Sequence, residues 1–206
     1  MSVLAKQFQV DLQKSFEWEP RYNIPPTATI PAVRLNEGKR ELAPLKWGLI
    51  PSWAKDAKLA QINARGDTVA TKPMFRYAYK KRRCLIPATG YYEWLREGKD
   101  KQPFLYEVDG GKPFAMAGIW EWWGGPEGEI APVESCAIIT TNANELASEV
   151  HDRMPVILDA ADYDTWLRCE EVPLVPFASD RMTARPVNRY LNKAGNEGEQ
   201  CVAAPG

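Results

Sequence analysis

The stretch Ala88-Thr89-Gly90-Tyr91-Tyr92-Glu93-Trp94-Leu95 decides how the rest of the chain is read, because it sets one carboxylate among aromatics on a segment that reads as a largely buried strand. Successive side chains of a strand alternate, so Tyr91 and Glu93 share one face and Tyr92 and Trp94 the other. An ionised carboxylate on a covered face is costly unless paired, and such a group commonly has a raised pKa and a chemical task. A half-exposed glutamate at a sheet edge accounts for the same residues, since edge strands often carry charge.

Downstream, the pattern predicts a meander of three strands, Cys84 to Trp94, Pro103 to Val108 and Pro113 to Trp122, with turns at Glu97-Gly98-Lys99 and Gly110-Gly111. Upstream, Ala28 to Leu35 and Glu41 to Leu49 flank Asn36-Glu37-Gly38 as a hairpin. Leu4, Ala5, Phe8 and Leu12 follow Ser2 at helical spacing, which predicts a first helix from Ser2 to Lys14 with Ser2 as its N-cap. Asp67 is placed to cap a short helix through Ala70, and Pro73 to start another through Lys81. The apolar run Ser135 to Thr141 reads as a buried strand, and Asn142 or Asn144 caps a helix from Glu145 to Val150. Asp159 caps a helix through Arg168, Met182 to Val187 forms a late strand, and the Gly- and Ala-rich tail from Asn192 is expected to fray.

Composition narrows the classes. A chain of 206 residues is long enough for one substantial core, so residues 1–206 are expected to form a single domain. The net charge of −1 and pI near 6.0 exclude a uniformly basic nucleic-acid coat and leave room for a local basic groove. Cys84, Cys136, Cys169 and Cys201 are widely spaced with no CxxC pair, so reduced cysteines in the cytoplasm are expected, with no metal site and no cofactor. The chain shows neither a signal-peptide pattern nor an apolar run of membrane-spanning length, and no membrane association is expected.

Two further features bear on function. From Arg76 to Arg83, five basic residues (Arg76, Lys80, Lys81, Arg82, Arg83) interleave with Tyr77 and Tyr79, the combination a single-stranded backbone with stackable bases requires; a solvated helix end favoured by the dipole fits the same residues. His151, the single histidine, stands at a helix exit beside Asp152 and Arg153, in a loop position where functional groups concentrate.

Arg21-Tyr22-Asn23, Trp47-Gly48-Leu49-Ile50-Pro51-Ser52-Trp53, Asn63-Ala64-Arg65, Gly90-Tyr91-Tyr92-Glu93-Trp94 and His151-Asp152-Arg153-Met154-Pro155, in this order across most of the chain, resemble the SOS response-associated peptidase (SRAP) family of abasic-site processing proteins. The resemblance implies an α+β fold: a curved, mostly antiparallel, barrel-like sheet with flanking helices and a groove for single-stranded DNA. It further implies self-processing peptidase activity and covalent capture of abasic sites, in which an N-terminal cysteine closes a thiazolidine on the sugar aldehyde. In that chemistry Asn63 holds the chain end and the sugar, Glu93 acts as acid and base at the amine, and His151 serves the sugar hydroxyl and ring opening. Arg21, Asn23, Arg65 and Arg76 would meet phosphates and polar groups of the strand, and Trp53, Met74 and Phe75 its bases. The partner implied is single-stranded DNA containing abasic sites, without an obligate protein partner, and the location is the cytoplasm, nucleoid-associated when DNA is bound.

The chain departs from the family pattern at its start. The family begins Met-Cys-Gly-Arg-Phe and this sequence Met1-Ser2-Val3-Leu4, so the expectation is that about a strand and a turn of the family pattern, with its cysteine, lies ahead of the residues given. The family glutamate after Asn-Ala-Arg is Asp67 here, a change of one methylene. Three classes of function therefore stand side by side: an abasic-site crosslinking enzyme, a non-covalent binder of damaged or single-stranded DNA, and a hydrolase using Glu93 with His151. The last lacks a Ser or Cys in a nucleophile-elbow context.

Overall fold

Asn36 and Lys39 face each other across a two-residue turn in which Glu37 (φ 51°) and Gly38 (φ 77°) both take left-handed backbone, the geometry whose twist matches a tight hairpin. The structure, a computed structural model, describes residues 6–10, 18–125 and 131–206. The hairpin joins β1 (Thr29–Asn36) to β2 (Lys39–Trp47), and the chain continues through β3 (Asn63–Arg65), α1 (Arg76–Lys81), β4 (Arg83–Ala88), β5 (Tyr91–Glu97) and β6 (Asp100–Val108). Then come β7 (Phe114–Trp123), β8 (Val133–Asn142), α2 (Glu145–Ser148), β9 (Arg153–Pro155), β10 (Ile157–Leu158), α3 (Tyr163–Leu167) and β11 (Met182–Pro186). The result is an α+β fold dominated by strands.

The larger sheet has eight strands and is ring-like: β7 pairs with β4, β4 with β1, β1 with β2, β2 with β8, and β8 returns to β7. The pairings are antiparallel except along β8, where β2 and β3 run parallel to it. Alternation along these strands feeds two cores, as expected for a sheet covered on both faces. Val33, Leu85, Ala117, Ala137 and Ile139 point to one face, which Phe8, Ala78 of α1 and Trp166 of α3 cover. Ala32, Cys84, Ile86, Met116, Cys136 and Ile138 point to the other, covered by Tyr106, Val108, Met182 and Ala147.

The second sheet, of order β11-β6-β5, is where the meander reading fails. The segment from Cys84 to Trp94 is not one strand. It breaks at Thr89-Gly90 into β4, which pairs with β7, and β5, which leaves for β6. Gly90 permits the crossing: a Cβ there would stand 2.7 Å from Leu105 Cδ1 and 3.0 Å from the Tyr106 carbonyl oxygen. Glu93 thereby rides an edge strand laid over the second face of the ring.

Other expectations need correction. Asp67 caps no helix; residues 66–75 are turns, and its carboxylate takes Arg65 instead, at 2.6 Å and 3.2 Å. Asp159 makes no side-chain cap to the turn that follows it and pairs with Arg181 at 2.7 Å, while the α-helix there runs only Tyr163–Leu167. Asn144, not Asn142, caps α2, accepting from the Ala147 amide at 2.8 Å. The tail from Asn192 has partners where fraying was expected: Cys201 is fully buried with Leu105, Val187 and Leu191, and the Ala203 carbonyl accepts from the Asn188 amide. Few apolar residues suffice because they plug one small core. The predicted Ser2 cap lies outside the described residues; of the first helix, Lys6 and Gln7 are helical and Phe8 stacks on Tyr163 at 5.4 Å.

Candidate functional site

The register of β5 on β6 sets Tyr91 opposite Tyr106 and Glu93 opposite Phe104, so Tyr91 and Glu93 look toward the ring while Tyr92 and Trp94 pack on the small core of the tail. The Tyr91 and Tyr106 rings stack at 5.0 Å and 12°, giving Glu93 an aromatic surround. Burial raises the Glu93 pKa above the ordinary carboxylate range; His151 opposes the rise and Asp152 adds to it. Glu93 and His151, 58 residues apart, thus act on one another. Burial likewise lifts Tyr106 to about 12, with Glu93 and Glu149 contributing.

His151 reaches this place through α2. The helix is four residues long, its end is marked by the His151 amide bonding back to the Ala147 carbonyl, and the chain then turns into β9. His151 Nδ1 is tethered to the Arg153 backbone, 3.0 Å from its amide nitrogen and 3.1 Å from its carbonyl oxygen. The imidazole is 46% exposed, with Asp152 at 3.4 Å from Nδ1. It is therefore a tethered ring open to a ligand.

On the other side of β8, β3 carries Asn63 and Arg65 on one exposed face around buried Ala64, in register with Ile138 and Thr140. Arg65 feels Asp152, and Asp67 feels Arg153, so the β3 exit and the His151 loop face a common region. Arg153 fixes that region, donating to Asn142 Oδ1 at 2.6 Å and to the Thr140 carbonyl at 2.7 Å. Asp152, Arg153 and Tyr106 escaped the reading of the chain as individual participants. The first two were visible only as neighbours of His151, and Tyr106 needs the β5–β6 register to be seen beside Glu93.

The expected DNA-contacting residues divide. Trp53 is 58% exposed on its loop and Arg65 is exposed, paired with Asp67. Arg76 is exposed and Met74 half-buried. Phe75 does not offer its ring to a base: it is 6% exposed and part of the main core, because the turn before α1 directs it inward with Ala78. Arg21 and Asn23 hold the tail. Arg21 meets Glu197 at 3.2 Å, and the Asn23 side chain donates through Nδ2 to the carbonyls of Leu191 and Asn196. The basic run divides as well, with Arg76, Lys80 and Lys81 exposed, Arg82 paired with buried Glu121, and Arg83 buried. Among the described residues no cluster of His, Cys, Asp and Glu is placed to hold a metal ion, and no helix is long and apolar enough to cross a membrane.

This arrangement can be compared with known proteins. The chain is 37% identical over 210 residues to abasic site processing protein YoqW of Bacillus subtilis, covering 97% of this chain and 93% of that protein. It is 28% identical over 227 residues to abasic site processing protein HMCES of Xenopus tropicalis, covering 92% of this chain and 68% of that protein. A crystal structure of a Bacteroides thetaiotaomicron protein superposes with a TM-score of 0.76 at 32% identity, over 86% of this chain and 82% of the other. A Bordetella bronchiseptica protein follows at 0.69 and 28%, over 80% and 86%. Residues 1–194 match the family model described as SOS response associated peptidase (SRAP), and this chain belongs to that family.

Proposed function

We propose that this protein processes abasic sites in single-stranded DNA, with Glu93 and His151 as its acid–base pair and Arg65 and Trp53 on the strand. The observation that carries the reading is that Glu93, on a strand laid over the ring-like sheet and lifted by burial, feels the charge of His151, an exposed imidazole tethered to the Arg153 backbone. The names of the relatives as abasic site processing proteins support the substrate class. An abasic deoxyribose in its open form presents an aldehyde. A neutral α-amine adds to that carbon, the carbinolamine hydroxyl leaves as water, and a thiolate on the same residue closes the ring onto the imine carbon. Glu93, with its raised pKa, takes the proton from the ammonium centre formed as the neutral amine adds and delivers it to the departing hydroxyl. His151 supports the sugar oxygen released on ring opening. Asn63, on the same face of β3 as Arg65, orients the chain end.

Cys84, Cys136, Cys169 and Cys201 are internal and carry no free α-amine, so the proposal assigns the covalent step to a family-type N-terminal cysteine and recognition to the residues above. The non-covalent reading, a module that binds the lesion without capture, rests on the same recognition residues. A gel-shift titration tests what the two share. The chain is expected to bind single-stranded DNA bearing one abasic site more tightly than the undamaged strand, with affinity falling as salt rises. Equal affinity for both strands in the wild type refutes the proposal.

A further inference from the structure

Among the described residues, Arg83 is a buried cation without an anion. It is 6% exposed, its Nε donates to the Tyr79 carbonyl at 2.8 Å and an Nη to the Glu170 carbonyl at 2.6 Å. Its guanidinium lies between aromatic rings, 4.2 Å from the Tyr79 centroid and 4.3 Å from that of Trp166. Burial pulls its pKa down, and the groups that push back are Tyr79 and Cys169 rather than a carboxylate. Its neighbour Arg82 differs in this respect, being paired with Glu121.

Arg83 lines an open cavity of about 460 Å³ with Arg76, Tyr77, Tyr79, Lys80 and Cys169. Arg76 and Lys80 stand one turn apart on α1, an arrangement of like charges that weakens an isolated helix. Among the described residues, no ion pair joins Arg76, Lys80 or Arg83 to an acid. Tyr77 is 54% exposed, with Arg82 over its ring at 5.1 Å. Three acid-free cations, one of them desolvated and held in a fixed fork, fit a phosphate, and an exposed ring beside them fits a base.

We infer that this cavity is a nucleotide subsite: it holds one undamaged nucleotide of a single-stranded DNA, phosphate on Arg76, Lys80 and Arg83 and base on Tyr77. The choice of DNA as the source rests on the function proposed above; the shared chemistry is a nucleoside phosphate.

The test is calorimetric titration of the full chain with thymidine monophosphate, with undamaged oligothymidylate and with the same strand carrying one abasic site. Lys80→Glu is expected to weaken undamaged-strand binding roughly tenfold and to flatten its salt dependence by about one phosphate contact. Tyr77→Ala is expected to weaken it roughly tenfold with little change in salt slope. Both positions are exposed, so unaltered thermal unfolding confirms that folding is not the cause. Wild-type affinity in both variants overturns the inference, as does a monophosphate that binds as tightly as the strand. A wild type that binds both strands equally, yet loses affinity in Lys80→Glu, refutes the abasic reading and leaves the subsite standing.

Discussion

Replacing Gly90 by Ala should damage both the fold and the placement of Glu93. The new Cβ would stand 2.7 Å from Leu105 Cδ1 and 3.0 Å from the Tyr106 carbonyl oxygen, the first contact short of ordinary packing by roughly 0.7 Å. Leu105 is 6% exposed and cannot swing into solvent, and the Tyr106 oxygen belongs to the β6 backbone opposite β5. Overpacking of this kind costs about 1–3 kcal/mol. For a chain of this length that corresponds to a fall in melting temperature of roughly 2–12 °C. The assay is urea unfolding of wild type, Gly90→Ala, Leu105→Val and the double variant. Leu105→Val removes the Cδ1 atom in the way, so the double variant should lose less stability than the two single losses combined, with a coupling of about 1 kcal/mol. Strict additivity, or an unchanged Gly90→Ala, would refute the claim that backbone proximity at Gly90 sets the departure of β5.

Two further outcomes follow from burial. Because burial raises the Glu93 pKa, the folded state holds that proton more tightly than the unfolded chain, so its contribution is full below the unfolded value and is lost as pH rises through the folded one. Glu93→Gln should therefore be at least as stable as wild type at pH 7 in urea unfolding, and its advantage should shrink on acidification through the usual carboxylate range; an advantage that grows on acidification contradicts the assignment. Phe75→Ala should cost about 3–5 kcal/mol as a core truncation, and Trp53→Ala, at an exposed loop position, within about 0.5 kcal/mol. A stable Phe75→Ala that loses DNA binding would return Phe75 to the surface.

The parts of the fold legible in the chain were those written in short range. Asn36-Glu37-Gly38 specified its hairpin because turn chemistry and flanking alternation agree, and the pair Asn142 and Asn144 marked the start of α2, where Asn144 is the cap. The meander was misread because the default of pairing neighbours in sequence overrode a break that only Gly90 marks. The parallel pairings of β8 with β2 and β3 leave no local trace, since the partners lie tens of residues away and both faces are apolar. At the site, Glu93 and His151 stood out as a carboxylate among aromatics and a single histidine at a helix exit, and His151 is among the charges that act on Glu93. The inward turn of Phe75 did not, because an aromatic beside a basic run reads alike as core or as stacking surface.

The proposed reaction turns on Glu93 and His151 acting on an abasic sugar, and the most direct measurement is the rate of adduct formation. The chain, carrying the family's Met-Cys-Gly-Arg-Phe start, is incubated with single-stranded DNA containing one abasic site and resolved on a denaturing gel, alongside Glu93→Gln and His151→Ala. A denaturation-stable adduct is expected in the wild type, none with Cys replaced by Ser, and rates reduced by roughly a hundredfold or more in Glu93→Gln, the range expected on losing a general acid–base group. An adduct forming at the wild-type rate in both Glu93→Gln and His151→Ala would contradict the proposed reaction.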